Sequence, residues 1–292
     1  MSKLLEWLAR FRARNTRSGF TCDCCECEIF DYPLHRVCAR CEKSFLENTG
    51  RFCEKCGRKT LAEGICLSCK REAPAFKLGV SPFVYFGEVA SLINRVKNGN
   101  RRLACYFGER MATRFLEAVP EAKMRFGEGR YAVNEFPLGI GDDGKRWKEG
   151  ETLYIAPVPT TEESRRARGY NQAEELAQAV AEQLVEEGLT IAYCPNALEK
   201  RETSEQKKLS FSERVKSAEE AYRVQDRSLW KDRTVLLVDD IMTTGATGSA
   251  CARRLYKAKA KEVFFLVGAS LPEKKCENEY PPSAHGADGG YA

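Results

Sequence analysis

From residue 80 onward, short apolar runs alternate with segments whose apolar residues fall three and four apart. VSPFVYF (80–86), TLYIAPVP (152–159), TIAYC, TVLLV and EVFFLVGA read as strands. EVASLINRVKNG sets Val89, Leu92, Ile93 and Val96 on one helical face and stops at Gly99, and a second helix is expected over 103–118. QAEELAQAVAEQLVEE aligns Leu176, Val180 and Leu184, with Asn171 as its cap and Gly188 as its close. GSACARRLYKA fits a helix between the last two strands. This order predicts an α/β domain over 78–271, a mostly parallel sheet flanked by helices. Residues 120–150, rich in Gly and charge, lack periodicity and are expected to form an irregular surface insertion.

The two ends differ from this pattern. Residues 1–20 place Leu4, Leu5, Leu8 and Phe11 on one face among Arg10, Arg12, Arg14 and Arg17. That predicts a short basic amphipathic helix, docked on the protein's own body or on an acidic partner. Residues 272–292 are polar, with Gly and Pro, and a disordered tail is expected. No apolar run approaches the roughly 20 residues of a membrane span, and none has the unbroken centre of a signal peptide. A cytoplasmic location is therefore expected. The net charge of +5 permits weak attraction to phosphates or nucleic acid without demanding it.

Cysteine changes the picture. Of 14 cysteines, ten lie between Cys22 and Cys69, so residues 21–72 stand apart as a module. Four C-x-x-C pairs can be drawn: Cys24/Cys27, Cys38/Cys41, Cys53/Cys56 and Cys66/Cys69. Two such turns complete a tetrahedral Cys₄ site, so two structural Zn²⁺ ions are expected, with no position open for catalysis. Cys22 and Cys25 have the same spacing, which leaves the register of the first pair open, and spacing does not fix how the pairs combine. Buried or reactive thiols and an iron–sulfur cluster are the alternatives. With so little Leu, Ile or Val, this block needs metal to fold.

The stretch VLLVDDIMTTGAT (235–247) carries the remaining chemistry. The strand would deliver Asp239 and Asp240 to the carboxyl end of the sheet, where α/β folds bind ligands. Thr243, Thr244, Gly245, Ala246 and Thr247 then open a helix whose unpartnered amides, with the hydroxyls, make a phosphate cradle. Carboxylates at its rim suit ribose hydroxyls or Mg²⁺, so the parts describe a sugar phosphate. No Gly-Lys-Ser/Thr or G-x-G-x-x-G occurs, and the Asp and Lys of a phosphoacceptor domain are missing from the later strands.

This stretch resembles the phosphoribosyl pyrophosphate motif of type I phosphoribosyltransferases. Joined to a four-pair cysteine block, it resembles the ComF family, whose members take part in bacterial competence for DNA uptake. Pro157 to Pro159, Arg166 to Gln172, Arg201 to Thr203 with Gln206, Leu209 and Arg214, and Leu92 to Lys97 carry the likeness further. Ser217, where the family often has Asn, and the long 120–150 stretch depart from it. The resemblance implies a type I phosphoribosyltransferase fold behind a zinc-ribbon-like module, and phosphoribosyl pyrophosphate bound with Mg²⁺. Pro159, Thr160, Arg166 and Arg168 would face pyrophosphate, while Lys200 and Arg201 would open a lid that excludes water. With both histidines far from the motif, a carboxylate such as Asp240 would serve as general base. The acceptor stays unidentified. The second reading is a non-catalytic adaptor that binds single-stranded DNA beside competence proteins such as a DNA-uptake helicase. The basic N-terminus and zinc knuckles favour it; the scarcity of aromatic residues among those arginines does not.

Overall fold

The computed structural model describes residues 21–29, 36–127, 131–133, 152–201 and 219–273, with backbone alone at 131–133. The expected N-terminal helix, the tail beyond 273, most of the 120–150 insertion and the lid sequence 202–218 lie outside the described residues. In chain order come α1 (Ala39–Glu42), α2 (Leu67–Arg71), β1 (Leu78–Val80), β2 (Phe83–Val84), α3 (Gly87–Lys97) and α4 (Arg101–Ala118). Next are α5 (Ala122–Phe126), β3 (Tyr131–Val133), β4 (Leu153–Pro157), α6 (Glu162–Arg168), α7 (Gln172–Glu186) and β5 (Ile191–Tyr193). The chain then forms β6 (Leu198–Lys200), β7 (Tyr222–Val224), β8 (Thr234–Met242), α8 (Ala246–Lys257) and β9 (Glu262–Ser270).

Seven strands make one sheet in the order β1-β9-β8-β4-β5-β3, with β2 also on β9, and every pairing is parallel. β6 and β7 form a separate antiparallel pair. Because both faces of the sheet are covered, the central strands are apolar without alternation. Along β8 the pleat sends Leu236 and Val238 into one core with α3, α4 and α7. Val235 and Leu237 enter the other, with α8 and the β6–β7 pair. α4 and α7 cross closely: a Cβ on Gly108 would stand 2.4 Å from that of Ala179. No helix among the described residues is long and apolar enough to cross a membrane.

The cysteine module is built into this body. Cys22, Ile29, Val37, Cys41 and Phe45 join the first core, while Cys53, Cys56, Cys66, Cys69 and Phe76 join the second. Each half of the module thus closes a different face of the sheet.

Several elements differ from expectation. VSPFVYF forms two short strands rather than one, since Pro82 has no N–H for the ladder and the Ser81 hydroxyl turns to the Phe83 carbonyl. Within 120–150, α5 buries Ala122 and Phe126, and β3 adds an edge strand beside β5. β8 continues past Val238, pairing with β9 as far as Met242 and Ser270. Both acidic residues therefore sit inside the strand, not after it.

Candidate functional site

β4 and β8 run side by side, Pro157 opposite Val238, and Val158 N–H donates to the Val238 carbonyl at 2.8 Å. Pro159 and Thr160 then leave the sheet, half-buried, beside the acidic pair. The pleat turns Asp239 toward the α8 face and Asp240 toward the α3 face. Asp240 is only 5% exposed, and its Oδ2 lies 3.4 Å from Lys97 Nζ at the end of α3. Its Oδ1 accepts from Ile241 N–H at 2.7 Å. Half-buried Asp239 accepts from Asp240 N–H at 2.9 Å. Burial first, and then the neighbouring Asp240 carboxylate, push Asp239 well above the usual carboxylate range, with Lys97 opposing.

Beyond Met242, Thr243 and Thr244 form a bend, and Gly245 takes φ +80° as the N-cap of α8. That left-handed conformation suits glycine, and a Cβ there would face Phe76 and Met242 at 3.6 Å. The first intrahelical bond runs from Ser249 N to Gly245 O, so the amides before it have no partner within the helix. Thr244 Oγ1 accepts from Ala246 N at 3.3 Å. The side chains of Thr243, Thr244, Ala246 and Thr247 are exposed, so the seat is open to a ligand. An anion there would meet free amides and the positive end of the α8 dipole.

The other expected contacts are spread more widely. Arg166 and Arg168 are exposed on α6, which Thr161 caps; Arg166 bonds Glu162 one helical turn back, and Arg168 bonds Gln172 at the start of α7. Lys200 ends β6, its Nζ 5.7 Å from the ring centre of Tyr222, and the Tyr222 hydroxyl bonds Thr247. Arg201 lines a different feature, an open cleft of about 510 Å³ with Arg223, Val224, Asp226, Arg227, Arg254 and Lys257. Five of its seven lining residues are cationic. Arg254 and Lys257 also meet Glu219, which offsets part of that charge. Asn171 caps α7 and donates from Nδ2 to the Val158 carbonyl at 3.2 Å, bracing the turn after β4.

Two groups of four thiols, each within 4.8 Å, stand among the described residues: Cys22, Cys25, Cys27 and Cys38, and Cys53, Cys56, Cys66 and Cys69. The second holds the four cysteines that sequence spacing selects. All thirteen described cysteines are free. Cys56 and Cys66 sulfurs are 3.8 Å apart, as are those of Cys25 and Cys38. That is about the edge of a tetrahedron with 2.3 Å zinc–sulfur bonds. Cys53 accepts N–H···S bonds from Cys66 and Cys56, and Cys22 accepts them from Cys38 and Cys24. The Cys56 thiol and these amides lower Cys53 to about 4 against burial, and the Cys27 amide and thiol lower Cys25 to about 5. The donor set fits zinc in both places.

The two knuckles are one structural repeat. Cys22 N bonds Cys27 O and Cys53 N bonds Arg58 O, while Glu26 and Gly57 both have positive φ, 62° and 72°. Thr21 bridges Glu28 as Phe52 bridges Lys59, and Cys38 and Cys66 each precede a short helix. Cys22, Cys25 and Cys38 therefore occupy the places of Cys53, Cys56 and Cys66, while the fourth thiol gathered with them is Cys27 and not Cys41, the counterpart of Cys69 in the repeat. Cys24 and Cys41, both expected as ligands, fall outside the first tetrad and contact each other instead. The signal was present in the sequence as the second spacing, Cys22-x-x-Cys25.

A family model described as phosphoribosyl transferase domain matches residues 170–284. The chain is 23% identical over 239 residues to competence protein ComFC of Bacillus subtilis (strain 168), covering 79% of this chain and 82% of that one. Among solved structures, a hypoxanthine phosphoribosyltransferase from Staphylococcus aureus aligns at 13% identity and TM-score 0.26, over 43% of this chain and 65%, just under two thirds, of the other. A hypoxanthine-guanine phosphoribosyltransferase from Schistosoma mansoni, in complex with IMP, aligns at 13% identity and TM-score 0.29, over 66% of this chain and 71% of that one.

Proposed function

We propose that this chain is a ComFC-like protein of the phosphoribosyltransferase family, that it binds phosphoribosyl pyrophosphate with Mg²⁺ at the end of β8 and that it transfers phosphoribosyl to an acceptor. The observation that supports this most is the open threonine turn at the start of α8, separated by two residues from the acidic pair. The 5-phosphate takes the amides and hydroxyls of Thr243 to Thr247. Half-buried Asp239 faces the ribose hydroxyls, while buried Asp240, paired with Lys97 on the α3 side, braces the strand end behind it. Pro159 and Thr160 offer backbone to pyrophosphate, with Arg166, Arg168 and Lys200 supplying positive charge. Mg²⁺ arriving with the ligand would supply positive charge against the leaving pyrophosphate. The protein's part is to orient the sugar, hold its phosphate and exclude water as positive charge spreads onto the ring. Zinc in the two thiol groups is structural. Isothermal titration of the zinc-loaded protein with phosphoribosyl pyrophosphate and Mg²⁺ tests the first step. Heat of binding is expected, and its absence at millimolar ligand counts against the reading.

The cationic cleft around Arg201 favours a second reading, an adaptor for single-stranded DNA in uptake, alone or beside competence proteins. Its affinity would fall steeply with salt. Charge reversal at Arg223 and Arg227 is expected to abolish the salt-dependent binding measured by fluorescence anisotropy, and a flat, negligible affinity in the wild type removes this reading.

A further inference from the structure

Arg58 follows the second knuckle and is only 7% exposed, yet it is a cation. Its carbonyl accepts from Cys53 N at 2.8 Å, and its amide donates toward the Cys56 sulfur. The guanidinium reaches the loop after β8, where Nη2 donates to the Thr243 carbonyl at 2.7 Å, across 185 residues of sequence. One residue thus bonds both cysteines of a C-x-x-C turn, one through its amide and the other through its sulfur, and the first residue of the phosphate turn. Its backbone is fixed as well. Asn48 Nδ2 donates to the Gly57 and Ser81 carbonyls, and a Cβ on Gly57 would stand 2.2 Å from Gly79 O, so knuckle and β1 interlock.

The consequence lies in one peptide plane. In a trans peptide the carbonyl of one residue and the N–H of the next point in opposite directions. With Thr243 O drawn toward Arg58, the Thr244 N–H faces away from the module, in a turn whose Thr243 and Thr244 are both exposed. A flipped plane would turn a carbonyl oxygen toward the phosphate instead. We propose that Arg58 is a positioning residue for the phosphate seat, through which the Cys53–Cys69 tetrad holds the 243–244 peptide in its anion-binding orientation. This rests on the functional reading above and extends it to the metal module, whose Cys53–Cys56 turn bonds the backbone of Arg58.

The test uses the full-length zinc-loaded chain with R58A and R58K. Titration with phosphoribosyl pyrophosphate and Mg²⁺ is expected to give at least roughly tenfold weaker binding for R58A, about 1.4 kcal/mol. Hydrogen exchange in peptides covering 243–249 is expected to quicken in R58A at unchanged zinc content. R58K, which keeps one charged donor, recovers most of both. Unchanged loop exchange and affinity in R58A overturn the proposal. Loss of zinc from R58A also overturns it, because Arg58 would then brace the tetrad and not the turn. Should the wild type bind no phosphoribosyl pyrophosphate, the functional reading fails alone, and the exchange comparison still decides whether Arg58 sets the turn.

Discussion

Asp239 sits where its charge is disfavoured. Its folded-state pKa lies above the unfolded value, so the fold prefers the proton. The ionised form therefore subtracts from stability once pH exceeds the unfolded value, and the loss is complete above the folded one. Asp239→Asn is expected to raise the melting temperature of the ligand-free protein at neutral pH, and the gain should shrink as pH falls. Calorimetry across pH checks this; a neutral-pH melting temperature that drops would contradict it. The same variant is expected to lose phosphoribosyl pyrophosphate binding, and wild-type binding should strengthen as pH rises and the carboxylate ionises. At this scale the acids and threonines were legible, because their chemistry is declared by adjacent residues. Arg58 was not: its partner is 185 residues away, and nothing local marks it among the other arginines. Lys97 was visible as a residue of interest, but its pairing with Asp240 needed α3 to lie against the strand end.

Among the elements, long periodic ones followed the sequence and short ones did not. β8 and α7 announce themselves through apolar runs and spacing, whereas β6 has three residues and α6 buries none. Such pieces take their form from neighbours. Close crossings are equally silent in sequence. Gly108→Ala would press a methyl against Ala179 and is expected to cost about 1–3 kcal/mol in urea unfolding. The repeated knuckle gives a sharper forecast. Cys22→Ser should remove about one zinc per chain, while Cys24→Ser should keep both, measured by metal analysis of purified protein. Equal loss from the two would mean that the knuckles are not equivalent.

For the molecule as a whole, the α/β class and a separate cysteine block could be read in advance, but not that the block closes both faces of the sheet. Compositional contrast suggests an appended module; contacts make it part of each core. Chelation of zinc is accordingly expected to lower the melting of the entire body, not of a detached segment, when followed by far-ultraviolet circular dichroism with heating. The pairing of β1 with β9 also has a bearing on biosynthesis. The cysteines leave the ribosome early, yet the strand and helix that shelter the second tetrad are among the last elements translated. The nascent thiols stay uncovered until those elements emerge, so early capture of a metal ion would protect them from oxidation until the sheet can close over them.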